Sequence, residues 1–193
     1  MLQNHSPEHE PGDDSTIIDI HDVLNPTVIS GVTYWRSLRG SKRFPSRADL
    51  TLRKMAAILP YSVIVSVLGC CDDYEFKFVG DAQRQAFGMY FKGIRVSQIQ
   101  AALPRVGALL HTAYAQVCSS GMPFAVRGRV DPEPSGSVFQ YHETAFLPLG
   151  VDDKSVDHLL IVGVYVPEPF WDVSEAKMTM LANSLRSKVA IST

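Results

Sequence analysis

No apolar run in the chain approaches the roughly 20 residues that a helix needs to cross a bilayer, so no stretch reads as a membrane span. The first residues, Met1 to Asp14, carry acids, Pro7, Pro11 and Gly12 where a secretory leader would need a basic region followed by an apolar one. Cysteine is scarce. Cys70 and Cys71 are adjacent, a poor geometry for a mutual disulfide, and Cys118 lies far along the chain. That pattern fits a reducing cytoplasm and lacks the spaced Cys/His pairs of a zinc site. Charge of one sign is not in excess either. A formal net charge of −2 offers no general attraction for nucleic acid. Catalytic signatures are missing: the chain has no Gly-x-Ser-x-Gly elbow, no phosphate-cradling Gly-rich loop ending in Lys-Ser/Thr and no His-Glu-x-x-His pair. The expectation is a protein that is not an enzyme, is cytoplasmic, and acts through contact with another protein.

What is present is an ordinary globular mixture, 46% hydrophobic and 20% charged over 193 residues, enough for one domain with a filled core. Residues 1–24 read as a disordered or loosely held tail, and 25–193 as a single domain. From Asn25-Pro26, an N-cap followed by proline at the first helical position, Val28, Val32, Trp35 and Leu38 recur at helical spacing until Gly40. A second short helix is expected after Ser46, with Leu52, Met55 and Ile58-Leu59 buried and Pro60 ending it. These N-terminal helices occupy 25–59.

The period then changes. Residues 62–68 are β-branched and read as a buried strand, and Tyr74, Phe76 and Phe78 alternate with Glu75 and Lys77 in its partner. Glycines at 80, 88 and 93 leave room only for short helices, whereas 102–119 forms a longer one with Leu103, Val106, Leu110, Ala113 and Val117 on one stripe. Three strands follow. Phe124, Val126 and Val130 alternate with Arg127 and Arg129; after a Pro132–Gly136 turn, Phe139, Tyr141, Ala145, Leu147 and Leu149 share a face; residues 159–166 are apolar almost throughout. Ser174 caps a terminal amphipathic helix over 174–190 with Met178, Leu181 and Leu185 on its buried side.

Two strands, short helices, one longer helix and three strands is the element order of the PAS fold. The run Tyr34-Trp35-Arg36-Ser37-Leu38-Arg39, then Phe44-Pro45-Ser46-Arg47-Ala48-Asp49 and Leu59-Pro60, resembles a bacterial family of stand-alone PAS-like proteins. Phe78-Val79-Gly80, Glu143 and Phe146-Leu147-Pro148-Leu149 extend the resemblance, which spans roughly residues 30–166. It implies an α+β fold: a five-stranded antiparallel sheet in the order 2-1-5-4-3, with short helices and one longer helix on one face and helices flanking at both ends. PAS domains bind haem, flavin, small carboxylates or nothing, and many serve as dimerisation or docking surfaces. The expected role is thus sensory signalling through a small-molecule ligand, a homodimer and a signalling protein partner, with neither nucleic acid nor membrane involved and no cofactor specified.

Val65, Phe76, Phe78, Phe124, Val126, Tyr141, Glu143 and Val162 are the residues expected to line a ligand space between sheet and helices. Strand phase points Glu143 to the apolar side, where a carboxylate must find donors or take up a proton. It either orients a ligand or closes a fixed ion pair with one of the N-terminal arginines. A ligand-free module is the alternative, with Val28, Val32 and Trp35 forming a partner interface anchored by the tryptophan. A further alternative makes Glu143 the base of a small-molecule enzyme. Haem-binding PAS domains place an axial histidine on the long helix, where His111 lies, but His111 sits roughly 120° from the stripe centre and reads as a rim residue. His142 points away from the apolar side. A flavin photosensor would need a reactive Asn-Cys-Arg-Phe motif that the chain lacks; Cys118 reads as a packing residue. The stretch 34–54 carries a local charge of +6, through Arg36, Arg39, Lys42, Arg43, Arg47, Arg53 and Lys54 against Asp49. It would serve either an acidic partner or a solvated face with an arginine or two tying the segment down.

Overall fold

A computed structural model of the chain describes residues 15–88, 91–130 and 139–167. The expected tail over 1–14, the Pro132–Gly136 turn and the C-terminal helix over 174–190 lie outside the described residues.

The elements in chain order are β1 (Thr16–Ile18), α1 (Pro26–Arg39), α2 (Leu52–Met55), β2 (Ser62–Leu68), β3 (Asp73–Val79), α3 (Asp81–Phe87), α4 (Val96–Ala102), α5 (Pro104–Ser120), β4 (Phe124–Val130), β5 (Phe139–Leu149) and β6 (His158–Pro167). Local chemistry sets several boundaries. The Asn25 side chain accepts the Thr27 amide at 2.9 Å, Pro26 opens α1, and Gly40 closes it. The expected second helix is instead broken into a 3-10 turn at Arg47–Asp49, α2, and another 3-10 turn at Leu59–Tyr61. Ser46 does cap the first of these in a reciprocal box with Asp49, but Leu52 faces solvent, 70% exposed, rather than the core.

The strands form one antiparallel sheet in the order β1-β4-β5-β6-β2-β3. Read from β3, its last five strands follow the PAS order 2-1-5-4-3. The sheet has six strands rather than five, because Thr16–Ile18 pairs with Ala125–Arg127 at the β4 edge. Residues 15–24 are therefore a structural strap, in contrast to the loose tail expected there. A three-residue strand is too short to leave a legible alternation.

Both faces of the sheet are covered. α3, α4 and α5 lie on one side and α1 on the other, over β5 and β6. The approach of α1 is close: a Cβ on Gly31 would stand 2.8 Å from the Val162 side chain. Val28, Val32 and Trp35, 0–2% exposed, are spent on this packing, and the Trp35 indole donates to the Pro148 carbonyl at 2.8 Å. The partner interface expected of these three residues is thus corrected. Their apolar stripe faces the chain's own sheet, as a helix with an available apolar sheet beside it should.

Candidate functional site

Strand register decides which side chains share a face. Phe124 pairs with Phe146, and Thr144 with Gly163. Phe124, Val126, His142, Thr144, Phe146 and Tyr165 consequently face α5, while Arg127, Glu143, Ala145 and Val162 face α1. Between α5 and the first of these groups lies a cavity of about 300 Å³, at the small end for a ligand site.

α5, the strap, α3 and the sheet bound the cavity. α5 contributes Arg105, Val106, Leu109, Leu110, Thr112, Ala113 and Gln116; the strap contributes Ser15 and Ile17, and α3 contributes Phe87. The sheet side is aromatic and polar together. The Phe124 and Phe146 rings stack with centroids 4.9 Å apart, and Phe87 meets Tyr165 edge-on at 4.8 Å. His142 lies parallel to Tyr165 at 5.7 Å, Ser15 Oγ is 2.8 Å from His142 Nε2, and the Thr144 hydroxyl donates to the Tyr165 oxygen at 3.2 Å. Burial pushes the Tyr165 phenol up, outweighing the Thr144 contact, so it remains protonated near neutral pH.

Of the expected ligand residues, Phe124 and Val126 line this cavity. Val65 and Phe76 lie on the same face but within packed core beyond it, where Phe76 stacks on Phe91 at 5.4 Å. Phe78, Tyr141, Glu143 and Val162 are on the opposite face, by register with Ile64, Val166, Val164 and Ala145. The expectation assumed one buried face. With two, alternation within a strand gives parity but not which side each strand's parity falls on. His142, expected to point away from the interior, is buried and on the cavity. The signal that would have revealed this is the unbroken apolar run Ala145 to Leu149, which marks a strand buried on both faces.

Glu143 is fully buried and makes a structural cluster. Oε1 accepts the Leu24 amide at 2.9 Å and the Asn25 amide at 2.8 Å; Oε2 accepts Arg127 Nε at 2.7 Å and the Tyr141 hydroxyl at 2.8 Å. Burial alone would raise the carboxyl, but the Asn25 amide, Arg127, Tyr141 and the Leu24 amide together hold it below the usual carboxylate range. Its ion pair is therefore with Arg127 of the adjacent strand, not with an N-terminal arginine, and its oxygens face away from the cavity.

His111 lies outside the cavity lining; its ring meets Tyr74 edge-on at 5.7 Å, and Nε2 is 3.3 Å from the Asp72 carbonyl. In the basic stretch, Arg43 donates to the Ser120 carbonyl at the end of α5, and Arg39 lies over the Trp35 ring at 5.5 Å. Cys118 is bonded to Cys71 in a disulfide, with Cα atoms 6.1 Å apart, and Cys70 is free and exposed. That pairing corrects the reading of Cys118 as packing alone: the β2–β3 turn brings Cys71 to the end of α5. Among the described residues, no group of three or more His, Cys, Asp or Glu side chains is placed to hold a metal ion, and no helix is long and apolar enough to cross a membrane.

No family model matches the chain. No curated protein matches it. Among solved structures, the chain is similar to that of an RNA-binding Light-Oxygen-Voltage receptor, at 13% identity and a TM-score of 0.44. The match covers 93% of this chain and 45% of the other, so the chain spans less than half of that structure's length. The PAS-like description rests on strand order and on the placement of α3 to α5.

Proposed function

We propose that the chain is a PAS-type sensory domain in which a small molecule enters the cavity between α5 and the sheet. The observation that carries this reading is the cavity of about 300 Å³ itself, walled in part by the strap that leads into α1. Ser15 and Ile17 belong to the cavity, whereas Leu24 and Asn25, at the other end of the same strap, are held by Glu143 at the start of α1. Occupancy would bias the strap and, through it, the orientation of α1 on the sheet, a population shift between two settings of one surface. The output is contact with a signalling protein or a second copy through surfaces other than Val28, Val32 and Trp35. The setting we propose is a bacterial cell; the Cys71–Cys118 disulfide counts against the reducing cytoplasm expected from the cysteine spacing.

We read the chain as non-catalytic. Glu143, the base of the enzymic alternative, has its oxygens engaged on the face away from the cavity.

The test is native mass spectrometry of freshly purified full-length protein, with hydrogen exchange of amides 15–25 before and after the bound species is removed. A small-molecule adduct whose removal deprotects those amides is the expected result. An adduct-free mass, with exchange unchanged when a mixed small-molecule extract is added, would overturn the sensor reading.

A further inference from the structure

The geometry points to a small, flat, uncharged molecule of one or two fused rings, with one hydrogen-bonding group, as the occupant of the cavity. This inference rests on reading the cavity as a ligand site. Flatness follows from the walls. Phe124 and Phe146 stack at 4.9 Å with planes 22° apart, and Phe87 meets Tyr165 at 75°. A ring entering between α5 and the sheet thus finds both faces and edges available for the offset and edge-on contacts that aromatic pairs prefer.

The absence of charge follows from the lining. Among the described residues, Arg105 is the only one in the lining with a permanent charge, and it belongs to the exposed first turn of α5. No carboxylate or ammonium group of the described residues belongs to the lining. Beyond the imidazole of His142, no described side chain on the sheet side can pair with a charged ligand group, which would meet no permanent counter-charge there and carry a large desolvation cost. The polar groups of the sheet side are instead concentrated at His142, Thr144 and Tyr165, on adjacent strands β5 and β6. They suit a single N–H, O–H or carbonyl. Apart from Ser15 of the strap and the exposed Arg105, Thr112 and Gln116 of α5, the rest of the described lining is apolar, so a second polar substituent away from those residues would go unmatched.

The size follows from the volume. A cavity of about 300 Å³ is at the lower limit of ligand sites, which favours one or two rings over an extended cofactor.

The experiment is calorimetric titration of the full chain with indole, with indole-3-carboxylate as its anionic counterpart, and with decanoate as an aliphatic chain. Saturable indole binding is expected, with the carboxylate at least roughly tenfold weaker. Tyr165→Phe, which preserves the packing, is expected to weaken indole roughly tenfold, the effect of one lost buried hydrogen bond. Ala113→Phe, which fills the cavity from α5, is expected to abolish binding, with circular dichroism verifying the fold of both variants. Decanoate or the carboxylate binding as tightly as indole would overturn the ligand class while leaving the cavity as a site. Tyr165→Phe binding indole as the parent does would overturn the assigned polar end. No probe binding, or indole binding undiminished in a folded Ala113→Phe, would overturn the site and the sensor reading with it.

Discussion

The backbone amide of Asn25 donates to Glu143 Oε1 at 2.8 Å, so the residue that caps α1 is held by a strand 118 positions away. The carboxylate sits where the exposed amides of a helix start favour negative charge. It also receives the Leu24 amide, Arg127 and Tyr141. A single side chain therefore joins the strap, α1 and the β4–β5 pair on the face opposite the cavity.

Replacing that group should be costly in proportion to what is left unpaired. Glu143→Ala strands two amides and Arg127, and is expected to lose about 3 kcal/mol, as for a broken buried pair. Glu143→Gln keeps an oxygen for the amides and is expected to lose about 1–2 kcal/mol. Urea unfolding measures both. Parent-like midpoints for the two variants would show that the cluster does not hold the strap.

Acid should act on the same cluster. Because the folded carboxyl of Glu143 lies below its unfolded value, near 4.3, the ionised form stabilises the fold above the unfolded pKa. That contribution is lost as pH falls through the folded pKa. Asp73 adds in the same direction. Burial pushes its carboxyl up, but the Ser97 hydroxyl, the Tyr74 and Ser97 amides and Arg95 bring it below the ordinary value. Melting temperatures are thus expected to fall below about pH 4, more steeply in the parent than in Glu143→Gln. Parallel pH curves for the two proteins would assign the acid loss to other groups.

Trp35 separates a core role from an interface role. At 1% exposure, with its indole on the Pro148 carbonyl, it is expected to cost about 3–5 kcal/mol when changed to Ala. Trp35→Phe is expected to cost about 1–2 kcal/mol, for the lost hydrogen bond and some volume. Light scattering should show the same oligomeric state for Trp35→Phe and the parent. A dissociated oligomer with unchanged stability would restore the interface expectation.

These residues also show what a sequence can and cannot carry. The start of α1 was legible because Asn25 capping and Pro26 are local chemistry, and the parity of β4 because Phe124 and Val126 alternate with Arg127. The order of the last five strands came from the family resemblance rather than from any residue pattern. The face of each strand was not legible. Glu143 and Phe124 are both inward by alternation, yet they lie on opposite sides, because the pairing register of β4 with β5 sets the relation and no local signal encodes it. β1 escaped because its pattern is only three residues long. The Cys71–Cys118 contact depends on where α5 ends relative to the β2–β3 turn, which is a tertiary fact.

That last contact gives a test of how α5 is held. Cys71 adopts a left-handed backbone, φ 68°, in the turn between β2 and β3, and its carbonyl accepts the Tyr74 hydroxyl at 3.2 Å. Cys118 lies in the last turns of α5, so the bond fastens the C-terminal part of the cavity's helical wall to the hairpin across a separation of 47 residues. Closing a loop of that length restricts the unfolded chain, and reduction is expected to cost about 2–4 kcal/mol of stability. Alkylation of the native protein without reductant, followed by peptide mapping, should label Cys70 and leave Cys71 and Cys118 unmodified. Added dithiothreitol should expose both and lower the melting temperature. Ready labelling of Cys118 in unreduced, folded protein would show that packing, not a covalent bond, holds the end of α5.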